Sequence, residues 1–270
     1  MSETIASPVT STVTSKDGTT IAYEVSGSGP ALVLVDGALC YRDFGPGRDV
    51  AAALSHEYTV YVYDRRGRGD SGNTSPYATA REVEDLAAVI GAAGGDAFVM
   101  GQSSGAALGL NAAATGVAMR KLAVYEAPYV GAKKVKGAAV DHVAELNRLL
   151  AEGNRGGAVG YFMVKMVGGP WFLPIMMRLM PKVWKQLQAV ATTLPNDATI
   201  MDGFEVPAAL LAKVKVPTLV MGGGKAAPNM AAAVQGVADA VAGSTLVILP
   251  GQTHQVSPAV LVPELAKFFR

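Results

Sequence analysis

The sequence predicts an α/β fold: a mostly parallel, eight-stranded sheet with helices on both faces and an inserted helical cap. Six short runs have a continuously apolar character, which is typical of strands covered on both faces, and helical patterns separate most of these runs. The third observation is the stretch 131–207, in which only helical patterns occur. We therefore expect a core domain of residues 1–130 and 208–270 that carries a cap of residues 131–207.

The predicted strands begin with an antiparallel hairpin at one edge of the sheet. Residues 9–14 and 20–25 alternate β-branched with polar side chains around Asp17-Gly18, a turn-forming dipeptide. The six apolar strands are 31–35, 59–63, 97–100, 122–125, 218–221 and 245–249. Helices are expected at a capping box, Thr79-Ala80-Arg81-Glu82, in the small-residue run after Ser104, at 226–242 and at 263–269.

Composition excludes several classes of protein. Of the 270 residues 17% are charged, the net charge is +1, and no basic block occurs, so we expect neither a nucleic-acid nor a membrane partner. The single cysteine, Cys40, cannot form an intrachain disulfide. Residues 1–16 lack the features of a signal peptide, and no apolar run approaches the ~18–20 residues of a membrane span. We expect a cytoplasmic protein; the sequence leaves its oligomeric state open.

The stretch Gly101-Gln102-Ser103-Ser104-Gly105 joins an apolar strand to a small-residue helix. Such a sharp turn needs glycine two positions either side of the serine, because a Cβ there would clash with the neighbouring backbone. The turn holds the Ser103 hydroxyl clear of the backbone and aims the Ser104 amide at whatever that hydroxyl attacks. Ser103 is therefore the candidate nucleophile.

A serine nucleophile needs a base, and three histidines are available. His56 and His142 are most simply surface residues, whereas His254 follows the last strand and lies at the same sheet edge as Ser103. His254 is therefore the candidate base. The second oxyanion donor is expected to be the amide of Ala38, since Asp36-Gly37-Ala38 turns at the end of the first apolar strand.

This order of strand, Asp36-Gly37-Ala38, elbow, cap and terminal histidine resembles the α/β-hydrolase family across essentially the whole chain. Many members carry His where this chain has Asp36, but a backbone donor does not use that side chain. Members usually place the triad acid after the penultimate strand, and residues 221–228 contain no carboxylate.

Glu126, directly after strand 122–125, is the acid that we predict instead. Some haloalkane dehalogenases and the zearalenone-type lactone hydrolases look similar in this respect, and the latter also share the Asp-Gly turn and the Ser-Ser-Gly elbow. Glu126 could otherwise cap a cap helix or pair with a lysine such as Lys133, in which case the acid would be Asp197, Asp202 or Asp239.

Soft and aromatic side chains concentrate in the cap, including both tryptophans. Any one of them is most simply part of the cap's own packing, but together they favour an apolar substrate chamber. The expected lining residues are Leu39, Phe162, Met166, Trp171, Met177 and Trp184.

Two other features of the sequence, a glycine-rich match and the single cysteine, have simpler structural interpretations. Gly67–Gly72 matches G-x-G-x-x-G, but no helix opens there, and Asp64-Arg65-Arg66-Gly67 is interpreted as a structural turn. Cys40 is expected to be a buried small residue rather than a second nucleophile, and no residues have metal-ligand spacing.

The sequence therefore predicts a serine hydrolase without cofactor or metal, acting on a small apolar ester or lactone. The alternatives are a carbon–carbon bond hydrolase, a perhydrolase or a non-catalytic ligand-binding homologue.

Overall fold

Eight strands form one sheet in a computed structural model that describes residues 8–131, 134–135 and 138–270. The strands of the sheet are β1 Val9–Thr14, β2 Thr20–Gly27, β3 Ala31–Val35, β4 Thr59–Tyr63, β5 Phe98–Gln102, β6 Leu122–Tyr125, β9 Thr218–Gly223 and β10 Thr245–Leu249. Their order across the sheet is β1-β2-β4-β3-β5-β6-β9-β10. β1, β2 and β4 pair antiparallel and every other pair is parallel, which confirms the predicted mostly parallel eight-stranded sheet.

Helices cover both faces of the sheet. They are α1 Gly47–Leu54, α2 Thr79–Ala92, α3 Ser104–Ala114, α4 His142–Ala151, α5 Arg155–Tyr161, α6 Leu173–Arg178, α7 Pro181–Ala189, α8 Leu194–Ile200, α9 Ala208–Leu211, α10 Pro228–Ala240 and α11 Pro258–Phe269. A π-helical turn spans Phe162–Met166, and 3₁₀ turns span Ala191–Thr193 and Asp202–Phe204. Apolar residues of α2, α3 and α10 form a core on one face of the sheet, and those of α1 and α11 form a core on the other.

The segment between β6 and β9 forms a separate layer with an apolar core of its own, built mainly from α4, α5, α7 and α8. It also contains a hairpin of two-residue strands, β7 Lys134–Val135 and β8 Ala138–Ala139, where the sequence predicted helices alone. Strands this short carry too little alternation to be recognised in a sequence. Within the described part of the chain, the helices are all too short or too polar to cross a membrane.

The capping box predicted at the start of α2 is wrong. The residue before the helix is Ala78, and no side chain caps it. Glu82 is buried and accepts two hydrogen bonds from Arg65, at 2.7 and 3.0 Å, because a buried guanidinium binds a carboxylate more strongly than an exposed helix end does.

The sheet topology brings three chain segments to one edge. β3, β5 and β6 are parallel neighbours, so the residues that follow them, from Asp36, Ser103 and Glu126 onward, lie side by side at their carboxyl ends. β9 pairs with β6 and β10 with β9, which brings the loop after β10 to the same edge.

Candidate active site

The turn between β5 and α3 holds Ser103 in a strained conformation. Its φ and ψ are 56° and −126°, a combination that non-glycine residues rarely adopt. A Cβ on Gly105 would lie 2.1 Å from the Val35 carbonyl oxygen, and one on Gly101 would lie 2.5 Å from the Gly105 oxygen. Both glycines are therefore required for β5 and α3 to approach this closely, as expected for a nucleophile elbow.

Glu126 lies opposite His254 at the end of β6. Its side chain is buried, and Oε2 is 2.7 Å from the Nδ1 atom of His254. Oε1 accepts a hydrogen bond of 2.8 Å from the backbone N–H of Gly223 on β9. Glu126 has a φ of 47°, and its own N–H donates to the Met221 oxygen at 3.0 Å. The carboxylate is thus held between the His254 ring and the backbone of β9.

The loop that carries His254 is tied to the two central strands. The Tyr125 hydroxyl donates a hydrogen bond to the Thr253 carbonyl oxygen, and the Gln102 side-chain amide donates to the His254 carbonyl oxygen at 3.2 Å. The imidazole remains partly open, with 40% of the side chain exposed. Its position is therefore fixed through the backbone while one side of the ring stays accessible.

The alternative acids lie elsewhere. Asp202 and Asp239 are exposed, and Asp239 accepts a hydrogen bond of 2.7 Å from Gln235. Asp197 is buried but is bound by Arg65 and Arg68. The alternative partner Lys133 lies outside the described residues.

The turn after β3 packs against the elbow. A Cβ on Gly37 would lie 2.9 Å from the Ser103 Cβ and 3.5 Å from its Oγ, so only glycine leaves room for the serine. Arg68 donates hydrogen bonds to the carbonyl oxygens of Gly37 and Cys40, at 2.6 and 3.1 Å. These bonds fix the segment that contains Ala38 beside the nucleophile.

A buried ion cluster connects this turn, the elbow and the cap. Asp197, on α8, binds Arg68 through both carboxylate oxygens at 2.8 Å and Arg65 at 2.9 Å. Ser104 donates a hydrogen bond of 2.7 Å to the same carboxylate. Burial raises the pKa of Asp197, but the charges of Arg68 and Arg65 outweigh it, so the net shift is downward.

The sequence did not predict this cluster. Asp64-Arg65-Arg66-Gly67 forms a turn as predicted, but Arg65, Arg66 and Arg68 are almost completely buried. The sequence feature that could have predicted the cluster is the presence of three arginines in one short turn, because guanidinium groups that become buried require carboxylate partners.

A cavity of about 260 Å³ opens at this edge of the sheet, beneath the cap. Its lining includes all five predicted catalytic and oxyanion residues, Ala38, Ser103, Ser104, Glu126 and His254, and two of the six predicted pocket residues, Phe162 and Met166. The remaining lining residues are Pro128, Val130, Val167, Met201, Phe204, Lys225, Ala226, Ala227, Asn229, Met230 and Thr253. The wall is mainly apolar, with polar groups concentrated around Ser103 and at Lys225 and Asn229.

Four predicted pocket residues do not line this cavity. Leu39, Met177 and Trp184 pack into or against the apolar core of the cap, and Trp171 is 74% exposed. The spacing of apolar residues along a helix shows that a face is apolar but not what covers it.

The sequence also made predictions for the other two histidines and for Cys40. His142 is buried, with Nδ1 2.8 Å from the Tyr161 hydroxyl, so its assignment to the surface is wrong; His56 is exposed as expected. Cys40 is only partly buried, whereas the sequence predicted a buried residue. Loss of hydration still raises the pKa of its thiol to about 12, which disfavours the nucleophilic thiolate. Burial also raises the pKa of Asp36 to about 6 against the opposing charges of Arg68 and Arg65.

Comparison with known proteins identifies relatives over most of the chain. A family model described as "Alpha/beta hydrolase family" matches residues 25–264. An alpha/beta hydrolase from Sphaerobacter thermophilus DSM 20745 is 48% identical, covers 96% of this chain and all of its own, and superposes with a TM-score of 0.88.

Two further matches are more distant. The esterase RhEst1 from Rhodococcus sp. ECU1013 is 22% identical, with 96% and 98% of the chains covered and a TM-score of 0.68, which shows a shared fold. "Uncharacterized hydrolase YraK" of Bacillus subtilis (strain 168) is 36% identical over 98 residues, which is 35% of each chain.

Proposed function

The chain belongs to the alpha/beta hydrolase family, and we propose that it is a cofactor-free serine hydrolase that cleaves an ester or lactone bond of a small, fairly apolar molecule. The observation that carries this proposal is the 2.7 Å contact between Glu126 and His254 Nδ1, on the wall of a cavity that Ser103 also lines. A carboxylate at Nδ1 leaves Nε2 as the basic nitrogen that accepts the serine proton.

In the proposed mechanism, His254 Nε2 takes the proton from Ser103 Oγ as this oxygen attacks the substrate carbonyl carbon. Glu126 stabilises the imidazolium, and the backbone amides of Ala38 and Ser104 receive the negative charge on the carbonyl oxygen. The imidazolium then gives its proton to the leaving alkoxide, which leaves an acyl group on Ser103. Water, deprotonated by the same histidine, cleaves this acyl-enzyme and restores the free serine.

The apolar part of the lining supports an apolar acyl group or lactone ring. Phe162, Met166, Met201 and Phe204 belong to the cap and line the cavity that Ser103 also lines. We further propose that the triad layout, with its acid on the strand next to the elbow, is that of the zearalenone-type lactone hydrolases.

The test is labelling by a fluorophosphonate together with hydrolysis of p-nitrophenyl esters. We expect the probe to label Ser103 and the Ser103→Ala variant to lose both labelling and hydrolysis, whereas Ser257→Ala, at an exposed serine, keeps both. Folded protein that is not labelled, or a Ser103→Ala variant with full esterase activity, would contradict the proposal. A preference for acetate with no gain from longer acyl chains would argue against the apolar chamber.

A further inference from the structure

Helix α6 of the cap is apolar on its outward side. Phe172, Ile175, Met176 and Leu179 follow the spacing i, i+3, i+4, i+7, which places them on one helical face, and they are 44%, 51%, 49% and 79% exposed. Pro174 is buried on the inward side. A surface helix normally presents polar residues to water, so this outward face lacks the expected pattern.

The exposed apolar surface extends beyond this helix. Seven of the nine exposed large hydrophobic residues among the described residues lie in the single stretch 167–180. We call these seven residues the apolar cap face: Val167, Trp171, Phe172, Ile175, Met176, Leu179 and Met180. Scattered single residues of this kind are ordinary, but a contiguous group marks an interaction surface.

The charge around this face has one sign. Residues 153–196 contain no Asp or Glu before Asp197, but they contain five cations: Arg155, Lys165, Arg178, Lys182 and Lys185. Arg178, Lys182 and Lys185 are exposed, and no carboxylate of the described residues forms a salt bridge with them. The net charge of +1 for the whole chain, which led to the expectation of no membrane partner, hides this local excess.

We propose that the apolar cap face docks on an anionic lipid surface, with Trp171 and the α6 side chains entering the headgroup layer and the surrounding lysines and arginines contacting lipid phosphates or carboxylates. Aromatic and aliphatic side chains rimmed by cations are the combination that binds such interfaces. A second copy of the chain fits less well, because a two-fold contact would bring these cations against one another. Val167 belongs both to this face and to the lining of the cavity, so docking places the lipid beside the candidate active site.

Vesicle flotation tests the proposal on the full chain. We expect binding to phosphatidylcholine vesicles that contain phosphatidylserine, little binding to phosphatidylcholine alone, and weaker binding as salt increases. Lys182→Glu/Lys185→Glu should lower the partition onto anionic vesicles by roughly 25-fold or more, from about fivefold for each cation. Lys213→Glu/Lys215→Glu is the matched control. These two lysines are exposed and precede β9, at the edge of the sheet opposite to the cavity, so this variant should bind as the unmodified chain does.

The apolar contribution is tested separately. Ile175→Ser/Leu179→Ser changes two exposed side chains and should abolish vesicle binding, a readout that does not depend on the proposed function. Hydrolysis of a water-soluble ester should be unchanged in the same variant. Absence of binding to anionic vesicles, or equal binding to neutral ones, overturns the proposal. A dimer in light scattering that this double variant dissociates, without any vesicle binding, assigns the face to a second copy instead.

Discussion

Replacing Glu126 by glutamine tests the acid of the proposed triad, and the structure indicates why an isosteric change should be severe. Oε1 of Glu126 accepts from the Gly223 N–H at 2.8 Å, and Oε2 lies 2.7 Å from His254 Nδ1. A glutamine has only one acceptor oxygen. With this oxygen kept on Gly223, its NH₂ group faces Nδ1, which must then be unprotonated, and the ring proton moves to Nε2. That tautomer cannot accept a proton from Ser103.

The opposite orientation of the glutamine keeps the tautomer but turns the NH₂ group toward the Gly223 N–H. Two buried donors then face each other, which costs about 1–3 kcal/mol. In either orientation the productive state is less populated, and the neutral amide no longer stabilises the imidazolium that forms. From the two effects together we expect kcat for p-nitrophenyl acetate to fall by roughly 10³–10⁴-fold, equivalent to about 4–5.5 kcal/mol in the barrier.

The assay is steady-state hydrolysis with thermal unfolding measured in parallel. Glu57→Gln, at an exposed residue that pairs with Arg270 on the surface, is the matched control and should leave kcat unchanged. A Glu126→Gln variant that folds normally and keeps more than about a tenth of the activity would refute the reasoning, because loss of tautomer control cannot be that small.

Three further changes test other parts of the structure. Asp197→Asn should lower the free energy of unfolding by about 3–5 kcal/mol, because buried Arg68 loses its charged partner; urea unfolding measures this, and a change as small as that of Asp239→Asn, at an exposed aspartate, would contradict it. Asp36 has its pKa raised from 3.8 to about 6, so its contribution to stability is greatest below about pH 4 and is lost as the pH rises through 6, by about 3 kcal/mol in total. Asp36→Asn should remove this pH-dependent component. Free energies of unfolding from urea titrations that change with pH in the same way for both proteins, from about pH 4 to about pH 7, would contradict the assignment. Gly105→Ala should prevent folding or inactivate the protein, because its Cβ would lie 2.1 Å from the Val35 carbonyl oxygen; soluble protein with normal labelling of Ser103 would show that the elbow can relax.

Strands buried on both faces are continuously apolar, which makes their bounds visible in a sequence. This is why the buried strands beginning at Ala31 and Leu122 begin and end where the sequence predicted. The capping box at Thr79 failed because the same short pattern is compatible with a cap or with a buried ion pair. The choice depended on Arg65, which lies 17 positions from Glu82 in the chain and outside the four-residue pattern.

The sequence by itself determined the sheet, the elbow and the positions of Ser103, Glu126 and His254 at one edge. Parallel neighbouring strands bring their carboxyl ends together whatever the cap does, and the contact of 2.7 Å between Glu126 and His254 agrees with that argument. The identity of the acid as a functional group remains the subject of the Glu126→Gln test.

Only the tertiary structure decided how the cap is attached and which of its apolar residues face the cavity, the cap core or water. Asp197 and Arg68 lie 129 positions apart in the chain, and their contact depends on how the cap sits on the core. Phe162 lines the cavity whereas Trp171 is exposed, although both belong to the part of the cap that is rich in Met and aromatic residues. The physical reason is that apolar periodicity defines a face of a helix, while the neighbour that covers that face comes from elsewhere in the chain, or from outside it.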